Sequence, residues 1–183
     1  MRVFVAVFPP LEVRKTALSG ALEAVRRSDD KVGWVRPENV HLTLKFLGDV
    51  PEDDLSQVAE ALEPLREEHE PFEAGISGFG AFPSPKKARV LWAGVGEGSD
   101  RLRALAEDVE NFLEPLGFER EGRIYVPHLT LGRARGRPVA LETVERTSPI
   151  PAFPVRRVDL VQSAPGKDGV VYSTLAAYPL RTP

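Results

Sequence analysis

A chain of 183 residues, 42% hydrophobic and 28% charged, has the balance of a globular protein with a core of ordinary size. Its formal net charge of −3 gives no global pull towards nucleic acid, so any anion site must be local. The lack of cysteine excludes disulfides, thiolate metal sites and a cysteine nucleophile and suits a cytoplasmic protein, and no apolar run approaches the length of a membrane span.

"MRVFVAVFPP" is too short and too quickly broken by prolines for a signal peptide, and instead predicts a strand over Val3–Phe8. Leu11, Leu18, Leu22 and Val25 follow at helical spacing, and "SDDKVG" breaks that helix. A strand then opens at His41 with His-Leu-Thr-Leu. "PEDDLSQVAEALEPLREEHE" reads as a helix with acidic residues in its first turn, and "PFEAGISGFGAF" as another strand. Next come a strand over Val90–Val95, a helix marked by Leu102, Leu105, Val109 and Phe112, and the break "PLGFEREG". A second strand opens at His128, again with His-Leu-Thr-Leu. After a proline-broken linker, strands "PVRRVDLVQSA" and "GVVYSTLAAYP" are joined by the turn "PGKDG". Arg outnumbers Lys, Asn and Gln are scarce and Pro reaches 17, which fits a heat-adapted organism; a GC-rich genome gives the same look.

His41 and His128 are 87 residues apart, and that offset aligns the two halves without a gap. Arg2 falls on Arg89, Arg14 on Arg101, Leu18 on Leu105, Glu23 on Glu110 and Arg36 on Arg123. The expected fold is therefore α+β in two pseudo-symmetric lobes. Each is a mainly antiparallel sheet with helices on its outer face, and an active-site cleft lies between them. The expected organisation is a single bilobal domain, 1–183, built from repeats of about 1–88 and 89–183 whose lobes are free to exchange strands.

Strand side chains alternate faces, so in each word the two Leu point to the core while His and Thr stand together on the other face, roughly 6–7 Å apart at the backbone. A twofold brings the pairs His41–Thr43 and His128–Thr130 face to face. Two imidazoles suit general acid–base cleavage of a phosphodiester: one deprotonates water and the other protonates the leaving oxygen. Threonine hydroxyls add hydrogen bonds to an oxyanion.

"WVRPENVHLTLKFLGDV", "GFGAFPSPKKARVLW" and "RIYVPHLTLGRAR" resemble the two-histidine phosphoesterase superfamily, and within it the RNA 2′,3′-cyclic phosphodiesterases, also called 2′-5′ RNA ligases. The resemblance implies a metal-free, cofactor-free enzyme that opens a terminal 2′,3′-cyclic phosphate on RNA to a 2′-phosphate. Some members also join RNA ends through 2′-5′ linkages. It implies His41 and His128 as catalytic residues, with Thr43 and Thr130 beside them. Arg133 would bind phosphate and Phe46 would stack on a base. Simple strand parity places Phe46 and Arg133 on the Leu side, so the strand must bend or end for them to reach the cleft. Because the product is a 2′-phosphate, the bond to the 3′ oxygen breaks. His41 is assigned as the acid and His128 as the base, since Arg133 draws the phosphate and attacking water towards the second word.

Arg120, Arg123, Arg133, Arg135 and Arg137 crowd the second word, either as a solvated charged rim or as a phosphate funnel that Lys86, Lys87 and Arg89 would extend. Tyr125 is a further stacking candidate, whereas Trp34, though able to stack, is read as core or rim packing. "EEHE" around His69 is read as the exposed end of a charged helix, not a metal site, and Ser84, Ser163 and Ser173 lack a nucleophile context. The expected partner is an RNA end or nucleotide carrying a 2′,3′-cyclic phosphate, bound by a monomer. Two alternatives remain open at this point. One is a sister phosphoesterase acting on a small nucleotide, such as a cyclic phosphate or a 2′-5′ oligoadenylate. The other is a non-catalytic RNA-binding module.

Overall fold

The computed structural model describes residues 1–25, 31–141, 150–167 and 169–181. Much of the break "SDDKVG", most of the proline-broken linker and Asp168 of the turn "PGKDG" lie outside the described residues. The elements run β1 (Arg2–Val7), α1 (Leu11–Ala24), β2 (Val32–Trp34), β3 (Leu42–Asp49), α2 (Leu55–Ala61), α3 (Leu65–Glu68), β4 (Phe72–Ala74), β5 (Ile76–Phe82), β6 (Val90–Val95), α4 (Ser99–Leu113), β7 (His128–Ala134), β8 (Phe153–Val155), β9 (Arg157–Gly166) and β10 (Gly169–Pro179).

Three expected elements are divided. The helix after β3 breaks into α2 and α3 around Pro64, whose ring and missing N–H cannot continue a helix. The expected single strand of residues 71–82 becomes β4 and β5, interrupted at Gly75, and β4 leaves the main sheet to pair with β8. Likewise "PVRRVDLVQSA" divides between β8 and β9. In α1 the buried face is Val13, Ala17, Leu18, Ala21 and Ala24, while Leu11 and Leu22 are 37% and 40% exposed, so only part of the expected apolar stripe faces the core. In α4, by contrast, Leu102, Leu105 and Val109 are fully buried as their spacing predicts.

The main sheet has the order β10-β9-β1-β3-β7-β6-β5, with β2 also alongside β7, and every pairing among the described residues is antiparallel. It is two half-sheets joined by one residue pair, Leu42 opposite Leu129. The first lobe holds β1 and β3 together with β9 and β10 from the far end of the chain; the second holds β6 and β7 together with β2 and β5 from the first half. The helices cross as well: α1 packs on β6 and β7, and α4 on β3. Valine and leucine side chains from both halves thus fill one continuous core.

The repeat carries one slip. Ala6 stands opposite Thr43 but Trp92 opposite Thr130, so β1 and β6 correspond at a spacing of 86 where the histidine words keep 87. A one-residue slip exchanges the faces of a strand. Phe4 and Val90, not Phe4 and Leu91, are therefore the equivalent residues.

Lys45 and Glu110 tie β3 to α4. Lys45 is 3% exposed; its Nζ donates to Glu110 Oε2 at 2.6 Å and to the Glu119 carbonyl at 2.7 Å. The Glu121 N–H in turn donates to Glu110 Oε1 at 3.3 Å. Removing one partner of such a pair strands a buried charge, at a cost of ~3–5 kcal/mol. Chemical denaturation should show a loss of that size for Lys45→Ala, and a smaller one when Lys45→Met is combined with Glu110→Leu.

Candidate active site

Leu42, Leu44, Leu129 and Leu131 are buried, while His41, Thr43, His128 and Thr130 are half-buried on the opposite face. The two strands run antiparallel through the Leu42–Leu129 pair, which sets Thr43 towards His128 and His41 towards Thr130. One word cannot make the site; two words meeting head to tail do.

Both strands bulge directly after the Thr. Ala6 pairs with Thr43 and Val5 with Lys45, leaving Leu44 as the extra residue; Trp92 pairs with Thr130 and Leu91 with Gly132, leaving Leu131 as its counterpart. A bulge resets the alternation of faces. Lys45 and Gly132 turn into the protein, and Phe46, 63% exposed, and Arg133 emerge on the histidine face. This is the bend that strand parity alone could not supply. Gly132 suits its place, because an added Cβ would come within 2.7 Å of the Val32 side chain and 3.1 Å of the Trp34 ring.

The two imidazoles are held alike. His41 Nδ1 donates to the Asn39 carbonyl at 2.6 Å, and His128 Nδ1 to the Val126 carbonyl at 2.7 Å, two residues back in each case. A carbonyl only accepts, so the proton of the neutral ring sits on Nδ1 and Nε2 is left for chemistry. Their walls differ. Phe4, Phe8 and Tyr172 surround His41 with ring centroids 4.8, 5.4 and 5.3 Å away. Phe82 and Trp92 flank His128 at 5.5 and 6.1 Å. Burial pushes the His41 pKa down to about 4; the bond to the Asn39 carbonyl opposes this, and the charges of Arg14 and His128 add to it. Without substrate, His41 is therefore neutral near pH 7.

A cavity of about 800 Å³ opens beside this pair, lined among others by Thr43, Phe46, Phe82, Arg123, Tyr125, His128, Thr130 and Arg133. The expected basic funnel divides. Arg123 and Arg133 face the cavity, whereas Arg120, also at its rim, is bound to Glu107, Asn111 and Glu114. Arg135 and Arg137 are exposed beyond it, and Lys86, Lys87 and Arg89 lie near the β5–β6 turn. Trp34 packs against the core. Tyr125 lines the cavity with its hydroxyl buried, which raises its pKa. His69 Nε2 pairs with Asp108 at 2.8 Å, joining α3 to α4. Sequence reading missed the wall of His41: Phe4 and Phe8 carry no motif, and Tyr172 arrives from the last strand of the chain.

His41 provides a stability test. Its folded pKa lies below the ~6.5 of an unfolded histidine, so the unfolded chain takes up this proton first as pH falls. The contribution is complete above about pH 6.5 and is lost as pH falls towards 4. Urea midpoints at pH 7 and pH 4.5 should fall less for His41→Gln than for the wild type.

The family model of the 2′-5′ RNA ligase superfamily matches residues 10–167. A Thermotoga maritima protein named RNA 2′,3′-cyclic phosphodiesterase is 36% identical over 177 residues, covering 96% of this chain and 93% of its own length. An Aeropyrum pernix protein of the same name is also 36% identical, over 77% of this chain and 82% of its own. The crystal structure of a Thermus thermophilus protein superposes with a TM-score of 0.78 at 32% identity, covering 99% of this chain and 98% of that one. Escherichia coli LigT, crystallised with 3′-AMP, shares the fold with a TM-score of 0.78 at 22% identity and the same coverage. With its two His-x-Thr words joined at the centre of one sheet, the chain belongs to the 2′-5′ RNA ligase superfamily, in the family of the RNA 2′,3′-cyclic phosphodiesterases.

Proposed function

We propose that this protein hydrolyses a terminal 2′,3′-cyclic phosphate on RNA to a 2′-phosphate, with His128 as general base and His41 as general acid. The observation that carries this reading is the matched pair of imidazoles, each with Nδ1 committed to a carbonyl and Nε2 left for the substrate. His128 Nε2 takes a proton from water as its oxygen attacks phosphorus. The phosphorus–O3′ bond breaks, and His41 Nε2–H gives its proton to O3′. The phosphodiester anion favours the charged form of an imidazole beside it, so His41, neutral in the free site, gains its proton as substrate binds. Thr43, Thr130 and Arg133 donate to the non-bridging oxygens, where charge builds in the transition state. Phe46, exposed at the cavity wall, stacks on the terminal base. For 2′-5′ ligation a 5′-hydroxyl takes the place of water, attacks the same phosphorus and leaves a 2′-5′ linkage. No helix of the described residues is long and apolar enough to cross a membrane. The lack of cysteine agrees with work in the cytoplasm, and we infer a monomer, since both words come from one chain.

Both protons travel through imidazole, so hydrolysis should persist in excess EDTA; loss of activity restored by Mg²⁺ or Zn²⁺ would refute the mechanism.

His41→Ala and His128→Ala should each lower kcat by ~10²–10⁴-fold. A substrate with sulfur in place of the bridging 3′ oxygen leaves without a proton. It should restore His41→Ala far more than His128→Ala, and the opposite pattern would exchange the two roles.

A further inference from the structure

A second cavity, of about 450 Å³, lies on the other side of His41. Phe8, Arg14, Arg36, Asn39, Arg157 and Tyr172 line it. Phe8 and Tyr172 are also aromatic walls of His41, so the cavity lies across these two rings from the imidazole.

The pseudo-symmetry relates the two cavities. The loop at Arg36 and Asn39 corresponds, at the repeat spacing of 87, to Arg123 and Val126, which line the first cavity. Both are lined by arginines. The first combines Arg103, Arg120, Arg123 and Arg133 with Phe46, Phe82, Ile124 and Tyr125, surfaces for a base. The second presents three arginines, with Glu38 as the carboxylate of its lining. Arg14 is held by carbonyls: its Nη1 donates to Pro37 O at 3.1 Å and Glu38 O at 2.8 Å, over the ring of Phe8 at 5.8 Å. These contacts fix the guanidinium without neutralising it. Arg157 Nε donates to Asp159 Oδ2 at 3.2 Å, and its own side chain is 58% exposed. Arg14, held by carbonyls, and Arg36 in the same lining offer guanidinium groups suited to a phosphate.

The order of atoms in ribose says which phosphate. The ring runs from C1′, which carries the base, through C2′ and C3′ to C4′, which carries C5′ and, through O5′, the 5′ phosphate. With O3′ at His41 and the base at Phe46, C4′ and its substituent project beyond His41, away from the base. We propose that this second cavity binds the phosphate on the 5′ side of the terminal nucleotide, so that RNA is held by two successive phosphates. The proposal rests on the reading above that O3′ faces His41, and it makes RNA a better substrate than a cyclic mononucleoside.

The test compares adenosine 2′,3′-cyclic phosphate with the same compound bearing a 5′ phosphate. In the wild type the second should have kcat/KM about tenfold higher, as charge-assisted hydrogen bonds allow, and the advantage should shrink with added salt. Arg14→Gln and Arg36→Gln should each bring the ratio towards one. Calorimetry gives a readout free of turnover: adenosine 2′,5′-bisphosphate should bind about tenfold more tightly than 2′-AMP, again through these arginines. Equal kcat/KM and equal affinity in the wild type overturn the proposal, and so does a preference that survives in both variants. If neither cyclic compound is cleaved while the bisphosphate still binds more tightly through Arg14 and Arg36, the catalytic reading fails and the subsite stands.

Discussion

Leu42 and Leu129 face each other at the single pairing that joins the two half-sheets. An antiparallel contact between identical words generates a local twofold, and a twofold through the middle of His-Leu-Thr-Leu sets each histidine towards the other strand's threonine. The leucines that make the contact also bury into the shared core, so packing and the placement of the histidines are fixed by the same four residues of each strand. Beyond that pair the strands part. The separation gives room for the larger cavity beside His128, and the bulges after Thr43 and Thr130 turn Phe46 and Arg133 into that space.

Symmetry of backbone with asymmetry of side chains is how a duplicated frame handles a substrate that has no symmetry. Both imidazoles receive the same main-chain support two residues back. Their surroundings then differ. His41 is enclosed by three aromatic rings and its pKa is lowered chiefly by burial, whereas His128 stands at the wall of the larger cavity. In the free site this difference keeps His41 neutral, so the acid role proposed for it depends on the substrate's anion charging that ring.

What could be read from the chain follows the range of the interactions involved. His41, Thr43, His128 and Thr130 were legible because strand alternation is local and the words repeat. The positions of Phe46 and Arg133 on the histidine face were not, since a bulge depends on how the neighbouring strand pairs, and neither "LTLKF" nor "LTLGR" signals one alone. The spacing of 87 held for the words and failed by one residue at β6, a slip that only strand register exposes. Leu11 and Leu22 looked like core by period, yet the core side of α1 is lined chiefly by Val13, Leu18 and alanines. The exchange of β2, β5, β9 and β10 between lobes lies beyond any local signal. Even so, the antiparallel α+β class and the paired histidine strands came from composition, period and repeat alone.

The exchange of strands also decides the order in which the protein can be completed. Strand β1 lies inside the sheet, between β3 and β9, and roughly 150 residues separate it from β9. During synthesis β3 covers one edge of β1 early, while the other stays open until nearly the whole chain has emerged. The open edge belongs to Val3–Val7, five apolar residues that end up almost wholly buried. An unpaired strand of that composition invites pairing with other chains. Closing the long loop to β9 adds little equilibrium cost, because loop entropy grows only logarithmically, but it delays the native pairing. In the folded chain both edges of β1 are paired and Val3–Val7 are buried, so its exposure to aggregation is greatest during synthesis and just after release.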